Sequence, residues 1–366
     1  MIKISVILPC YNVGKYIAKC LDSLVNQTLA DIEIICVDDK STDDTVSIIK
    51  TYKDKRIKLV SHKKNMGAGA SRNDGLKIAT GEYISFIDPD DYVDLDFLEK
   101  LYSAAKSKKS DIAKSCLRYT NTKEKYSLNN LIQQDIAYFS GEYTTAIYKR
   151  SFLNKHKISF PVDIITGQDS VFLTHVVINN PSIALIDDTS YWYNRHEGSL
   201  DSPILSHAKI LSRYNMIMRK IELIQNAKLT NEKFGLFMKT QVLVHIYSVV
   251  NYQYEQEEDK NIFWDCLHDI YNKYGIKKEI QSVFGKQIIS CLESKNIYQK
   301  CDFYICRTKK RIDMFFFIPF LFVYTSKTCS LIKLFDFLPL LKISRNKINR
   351  AKYYLFGFIP LLKIKG

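Results

Sequence analysis

The feature that most constrains this chain is the regular alternation, from Ile4 to Ile87, of short apolar runs with stretches of helical periodicity. Ile4-Ser5-Val6-Ile7-Leu8 ends at Pro9 and reads as a buried strand. Val13, Ile17, Leu21 and Leu24 then fall three or four apart, which predicts a helix to about Asn26 with Asn12 at its N-cap. Ile32 to Val37 and Ile57 to Ser61 read as further strands, with a helix from about Asp44 to Lys53 between them. A Gly-rich stretch, Asn65 to Gly69, leads to a helix from about Ser71 to Thr80 and a strand from Tyr83 to Ile87. Such alternation implies α/β architecture with a doubly wound, mostly parallel sheet. Ligands bind such sheets at the carboxyl ends of the strands. Three segments occupy those ends here: Pro9 to Asn12, Asp38-Asp39, and Asp88-Pro89-Asp90-Asp91.

Beyond Asp96 the pattern loosens. Ile112 to Tyr119, Thr145 to Tyr148 and Ser182 to Ile186 read as strands, Lys149 to Lys155 and Asp169 to Asn179 as helices. Helical periodicity then dominates from His207 to about Lys300. With 366 residues the chain has room for a catalytic domain and appendages. We expect a catalytic domain over 1–205 (a nucleotide-binding half, 1–96, and an acceptor half, 97–205), a helical extension over 206–306 and a basic aromatic tail over 307–366.

Charge sets that tail apart. The formal net charge is +14, and residues 307–366 hold 13 Lys or Arg against 2 Asp. The same segment carries aromatic runs such as Met314 to Phe320, which suit an anionic membrane surface better than nucleic acid. It also holds a near-repeat: Phe335 to Ile343 matches Phe356 to Ile364 at an offset of 21, with a weaker copy around Pro319. The expectation is a series of short helices in the plane of the membrane surface. The longest apolar run, Met314 to Tyr324, has 11 residues and contains Pro319, short of the roughly 18 a spanning helix needs. The nine cysteines lack zinc spacing, and the N-terminus has no signal-peptide pattern, so a reducing cytoplasm is expected.

Asp88, Asp90 and Asp91 form a crowd of carboxylates that suits Mg²⁺ or Mn²⁺, an ion able to bridge protein and diphosphate. A solvated acidic turn is the plain alternative. Asp39 is placed to accept from a pyrimidine imide or, equally, to cap the following helix. Gly67-Ala68-Gly69-Ala70-Ser71-Arg72 is no dinucleotide fingerprint, since Arg72 occupies the third glycine position, but Arg72 at a helix start suits a phosphate.

Taken together, Ile4 to Asn12, Val37 to Asp43, Gly69 to Gly75 and Gly81 to Asp91 resemble the family 2 glycosyltransferases, in order and over roughly the first hundred residues. The resemblance implies an A-type nucleotide-sugar-binding fold and inversion at the anomeric carbon. It implies that Pro9, Tyr11, Asn12 and Ser41 border the nucleotide and that Asp39 contacts uracil. It further implies that Asp88 and Asp90 form the Asp-x-Asp motif, with Asp90 the direct metal ligand and Asp91 beside them. The family's Glu-Asp pair corresponds to Gln168-Asp169, which makes Asp169 the candidate general base and puts Gln168 where glutamate is customary. Tyr191 to Ser199 resembles the segment that family members fold over the diphosphate, with Arg195 or His196 as phosphate or metal contacts. The expected activity is transfer from a UDP-sugar to a lipid-linked or surface-glycan acceptor, in lipooligosaccharide or capsule synthesis on the inner face of the cell membrane. Two rivals are a nucleotidyltransferase and an inactive membrane scaffold that keeps the fold.

Overall fold

The first apolar runs form strands because both of their faces are covered. In β1 (Ile4–Cys10) and β2 (Ile32–Asp38) every residue is buried, as expected of parallel strands flanked by helices on both sides. In the computed structural model, residues 1–120, 125–126, 142–194, 204–243, 245, 253–254, 259–284, 293, 321–325, 329–334, 338–345, 350–355 and 359–365 are described. Contacts divide the chain into two compact units, Met1–Glu279 and Ile280–Gly366.

In the first unit β1 pairs in parallel with β2 and with β4 (Tyr83–Phe86), and β2 with β3 (Ile57–Ser61). Between them run α1 (Ile17–Val25), α2 (Thr45–Thr51) and α3 (Ala68–Ile78). The sheet order is β3-β2-β1-β4-β8-β6-β9-β5, so it continues past β4 through later strands. These are β5 (Tyr92–Val93), β6 (Ile112–Tyr119), β8 (Ala146–Lys149) and β9 (Ile183–Tyr193), with β7 (Lys125–Tyr126) paired to β6 off the main path. Strand β8 joins β4 and β6 in antiparallel sense, whereas β6 and β9 are parallel. Helix α4 (Phe97–Ser107) buries Phe97, Leu98, Leu101 and Ala105 against the sheet core. Helix α5 (Arg150–Lys155) follows β8, and α6 (Gln168–Ile178) precedes β9.

Some expectations shift. Helix α1 begins at Ile17, and Asn12 does not cap it. Asn12 lies at φ 52° and its side chain accepts from the Thr42 amide. Val13 and Gly14 donate their amides to Thr45 and Asp43 instead, so cross-loop bonds take the donors a cap would have served. Strand β9 runs seven residues past its expected end at Ile186, through Asp187-Asp188, because its second half gains β5 as a partner. The helical region contains α7 (His207–Asn226), α8 (Asn231–Phe237), a π turn (Met238–Leu243) and α9 (Asp259–Tyr274), with α10 (Lys277–Phe284) at the unit boundary. No helix among the described residues is long and apolar enough to cross a membrane.

The second unit corrects the reading of the tail. Among the described residues, Leu338 to Ile343 and Ile359 to Ile364 of the two main copies are strands, not short helices, while Pro319 lies outside the described residues. Leu321–Thr325, Cys329–Leu334, Leu338–Arg345, Arg350–Leu355 and Ile359–Lys365 form an antiparallel five-stranded sheet in chain order. The 21-residue offset is the length of one strand pair, so each copy occupies an equivalent strand. Pro339 and Pro360 sit second in their strands, beside register shifts that accommodate the missing amide. Apolar units this short make marginal helices alone, whereas neighbouring copies offer each backbone a partner.

A buried carboxylate locks the far end of the parallel strands. Glu33 is 2% exposed. Its Oε1 accepts from Ser5 Oγ (2.6 Å), Thr80 N (2.7 Å) and Thr80 Oγ1 (2.8 Å), and its Oε2 from Lys58 Nζ (2.6 Å). Burial works to raise its proton affinity, but Lys58, Ser5 and Thr80 outweigh it and hold the carboxyl down to about 2. Glu33→Gln is expected to cost about 1–2 kcal/mol in chemical denaturation at neutral pH, since charge-assisted bonds from Ser5 and Thr80 are weakened while the half-exposed Lys58 regains water. A depressed carboxylate gives stability that is present above its unfolded value of 4.5 and drains away as pH falls toward 2. Melting temperature should therefore fall less steeply over that acid window in the variant than in the parent.

Candidate active site

The carboxyl ends of β1, β2 and β4 bring the three anticipated segments together. Pro9 is buried within β1, and Tyr11 beyond it is 48% exposed. Asn12 and Ser41 join the β1 and β2 ends, the Asn12 amide donating to Ser41 Oγ at 3.1 Å. Asp38 supports the same turn by accepting from the Ser41 amide.

Asp39 turns the other way and does not cap α2. It is 2% exposed; Oδ1 accepts from Met66 N (2.7 Å) and meets His62 Nδ1 (2.8 Å), and Oδ2 accepts from Gly67 N (2.7 Å). His62 reaches on to Asp74 at 3.1 Å. The carboxylate thus clamps the loop into α3, where Gly67 takes φ +87°, a conformation open to glycine. Oδ2 has one protein donor and retains acceptor capacity.

Arg72 is not at the helix start. It lies in the second turn of α3, 9% exposed, with its guanidinium aimed into the site. Nη2 donates to Asp88 Oδ1 at 2.9 Å and Nη1 to Gln168 Oε1 at 3.4 Å. The guanidinium lies over the rings of Tyr143 (5.0 Å) and Phe160 (5.2 Å), an arrangement that favours a buried cation. Phe160 stacks on Phe172 at 4.3 Å, and Phe86 packs edge-on against both. This aromatic floor fixes Arg72.

The acidic run forms a turn, the Asp91 amide donating to Asp88 O at 3.0 Å, but two of its carboxylates are held by side chains from elsewhere in the chain. Asp88 Oδ1 is held by Arg72 and by the Tyr143 hydroxyl, which donates at 2.7 Å. Oδ2 takes no hydrogen bond among the described residues. Asp91 is 2% exposed, with Oδ2 accepting from Tyr191 OH (2.6 Å) and Oδ1 from Asn194 N (2.8 Å). Its contacts are with its own chain, so it anchors the end of β9. Tyr191 OH in turn accepts from the Asp88 amide at 3.2 Å. Burial, followed by the charges of Asp88 and Asp90, pushes the Asp91 carboxyl up to about 8. Asp90 is half-buried beside them.

This donor set suits one kind of divalent ion. Among the described residues no three acidic, His or Cys side chains form a closed cage. Asp90 and the outward oxygen of Asp88 offer one or two carboxylates, the number Mg²⁺ or Mn²⁺ takes when a substrate diphosphate completes the shell. Burial is the main cause of the rise at Asp91, and the charges of Asp88 and Asp90 add to it; that added repulsion is the part a divalent ion would relieve. Arg195 and His196 lie outside the described residues.

Asp169 sits in the first turn of α6. Gly167, at φ +87°, is the N-cap residue. Asp169 is half-buried and accepts no hydrogen bond among the described residues, so it does not cap the helix. Arg72, Tyr143, Tyr148 and Lys220 lie within electrostatic range of it, and Arg72 and Tyr143 are the two residues that hold Asp88. Gln168 is 8% exposed and points inward. It accepts from Arg72 and donates Nε2 to Ile164 O at 2.5 Å. A glutamate there could not make the second bond, so this chain uses the position to brace Arg72 against α6. Tyr143, His62 and Lys220 were not anticipated from sequence; lone Tyr, His and Lys residues in unpatterned segments give no signal of their partners.

A mostly parallel sheet flanked by helices, with Asp38-Asp39 and the Asp88 to Asp91 run at the carboxyl ends of its strands, is the architecture of the A-type glycosyltransferase fold. Residues 5–172 match the model of the family described as Glycosyl transferase family 2, and they form a domain of that family. The poly(ribitol-phosphate) beta-glucosyltransferase of Bacillus spizizenii is 39% identical over 204 residues, covering 52% of this chain and 32% of that protein. The poly(ribitol-phosphate) beta-N-acetylglucosaminyltransferase TarP of Staphylococcus aureus is 33% identical over 205 residues, covering 52% of this chain and 62% of that one. The chain therefore spans less than two thirds of the length of these curated relatives. In fold it is similar to S. aureus TarS 1-349 solved with UDP-GlcNAc, at TM-score 0.69 and 23% identity over 91% of this chain and 97% of that one.

Proposed function

We propose that this chain transfers a sugar from a UDP-sugar to a hydroxyl of a bacterial surface glycopolymer, with inversion at the anomeric carbon. The observation that carries the reading is that Arg72 and Tyr143, which hold Asp88, also lie within electrostatic range of Asp169, whose carboxylate accepts no hydrogen bond among the described residues. Tyr11 and Asp39 border the base, Asn12 and Ser41 the adjoining turn. Mn²⁺ or Mg²⁺ is the proposed cofactor, held by Asp90 with Asp88 in support, and when bound it neutralises charge on the departing diphosphate.

Asp169 removes the proton from the acceptor hydroxyl as the oxygen attacks the anomeric carbon. The new C–O bond forms as the bond from that carbon to the diphosphate oxygen breaks, and UDP leaves with the electron pair. Arg72 keeps Asp88 aimed and supplies positive charge beside it. The names of the relatives favour a polyol-phosphate polymer as acceptor, over the lipooligosaccharide or capsule that the sequence suggested. Release of free UDP from a UDP-sugar tests the reading; a nucleotidyltransferase would release pyrophosphate instead.

The basic segment 307–366 is proposed to hold the enzyme to the inner face of the cell membrane, near a membrane-linked acceptor. The full chain should sediment with vesicles rich in phosphatidylglycerol at low salt and much less with pure phosphatidylcholine. Equal partitioning to both, or to neither, would exclude an electrostatic anchor.

A further inference from the structure

The helical region lies outside the family match, yet it reaches directly beneath the proposed base. Ser212, Met216 and Lys220 recur at four-residue spacing on α7, so they share one face. All three meet the loop and first turn that carry Asp169. Ser212 Oγ accepts from the amides of Ile165 and Thr166, each at 2.9 Å. Met216 fills the space where a side chain on Gly167 would stand. Lys220, 0% exposed, donates to Ser170 Oγ at 2.7 Å and to Gln241 O at 2.6 Å.

The chemistry at Lys220 is unusual for a packing residue. An ammonium can only donate, so Ser170 Oγ accepts from Lys220 and turns its own proton to His245 Nε2, 3.1 Å away. Burial, then the neighbouring charges of Lys220 and Arg213, keep His245 neutral and able to accept. Burial also pulls the Lys220 ammonium down to about 7, and Asp169 is the charge that opposes this. Thr174 adds a second stitch, its hydroxyl lying 2.9 Å from Ser170 O and 3.3 Å from Gln241 Oε1, with its one proton shared between them. A fully buried ammonium carries a desolvation cost that a methionine of similar length would avoid.

We propose that Lys220 is a positioning residue for sugar transfer: through Ser170 it fixes the first turn of α6, and so sets where the Asp169 carboxylate meets the acceptor hydroxyl. The inference rests on Asp169 being the general base. It adds that the helical region is part of the catalytic apparatus and not only an appendage.

The test uses the full chain with UDP-N-acetylglucosamine as donor and poly(ribitol phosphate) as probe acceptor, comparing Lys220→Met, Ser170→Ala, Asp169→Asn and the Lys220→Met/Asp169→Asn double variant. Lys220→Met is expected to lower kcat about 10- to 100-fold while KM for the donor stays within about twofold, a split that general loosening of the fold would not give. Ser170→Ala should lower kcat in the same way by a smaller factor, and it decides the matter if Lys220→Met does not fold. In the double variant Lys220→Met should cause no further loss, because the group it positions is already gone. Parental kcat in Lys220→Met, or in Ser170→Ala where Lys220→Met is unfolded, with Asp169→Asn inactive, overturns the positioning role and leaves the base assignment standing. Near-parental turnover in Asp169→Asn overturns the base assignment and the inference with it.

Discussion

Asp169→Asn is expected to lower kcat by about 10²–10⁴, the range lost when a general base is removed, while UDP binds as in the parent. The substitution keeps size and shape and removes only the ability to take a proton. Asp169 is a good candidate for so clean a change, because its carboxylate holds no backbone amide and no side chain among the described residues, and the helix cap falls to Gly167. Stability should therefore change little. Calorimetric UDP affinity, melting temperature and turnover measured on one preparation check all three parts. Unchanged turnover in folded protein would remove Asp169 from the chemistry.

The second large effect is expected at Asp90. Asp90→Asn should lower turnover by about a hundredfold or more, since a metal's charge stabilisation is worth several kcal/mol. It should also abolish the tightening of UDP binding by Mn²⁺. The contrast with Asp91 is informative. Asp91 is buried and fully engaged by Tyr191 and Asn194, so Asp91→Asn is a change to the support of β9 and should appear first in stability. UDP binding that responds to Mn²⁺ as strongly in Asp90→Asn as in the parent would place the ion elsewhere.

The parts of this molecule that could be read from sequence are those written in local pattern. Ile4 to Leu8, Ile32 to Val37 and Tyr83 to Phe86 are apolar runs bounded by turn residues, and each is a strand of the parallel core. Asp39, Asp88, Asp90, Asp91 and Asp169 are candidates singled out by their places in motifs. Their partners were not legible because the pairing is long-range. Tyr143 meets Asp88 from 55 residues away, Tyr191 meets Asp91 from 100, and Lys220 meets Ser170 from 50. No periodicity encodes such contacts. The tail failed for a different reason: apolar residues, prolines and cations in nine-residue units fit a surface helix as well as a strand, and pairing between copies decides. Gln168 shows the limit of reading by motif alone, since the residue that departs from the family pattern is the one that braces Arg72 here.

The measurement that tests the central claim most directly is product analysis of the full chain incubated with UDP-glucose or UDP-N-acetylglucosamine and poly(ribitol phosphate), with Mn²⁺ and with chelator. The account predicts free UDP, one sugar gained by the polymer for each UDP released, and loss of both on chelation. Release of pyrophosphate, or UDP-sugar binding with no turnover of any donor, would contradict it.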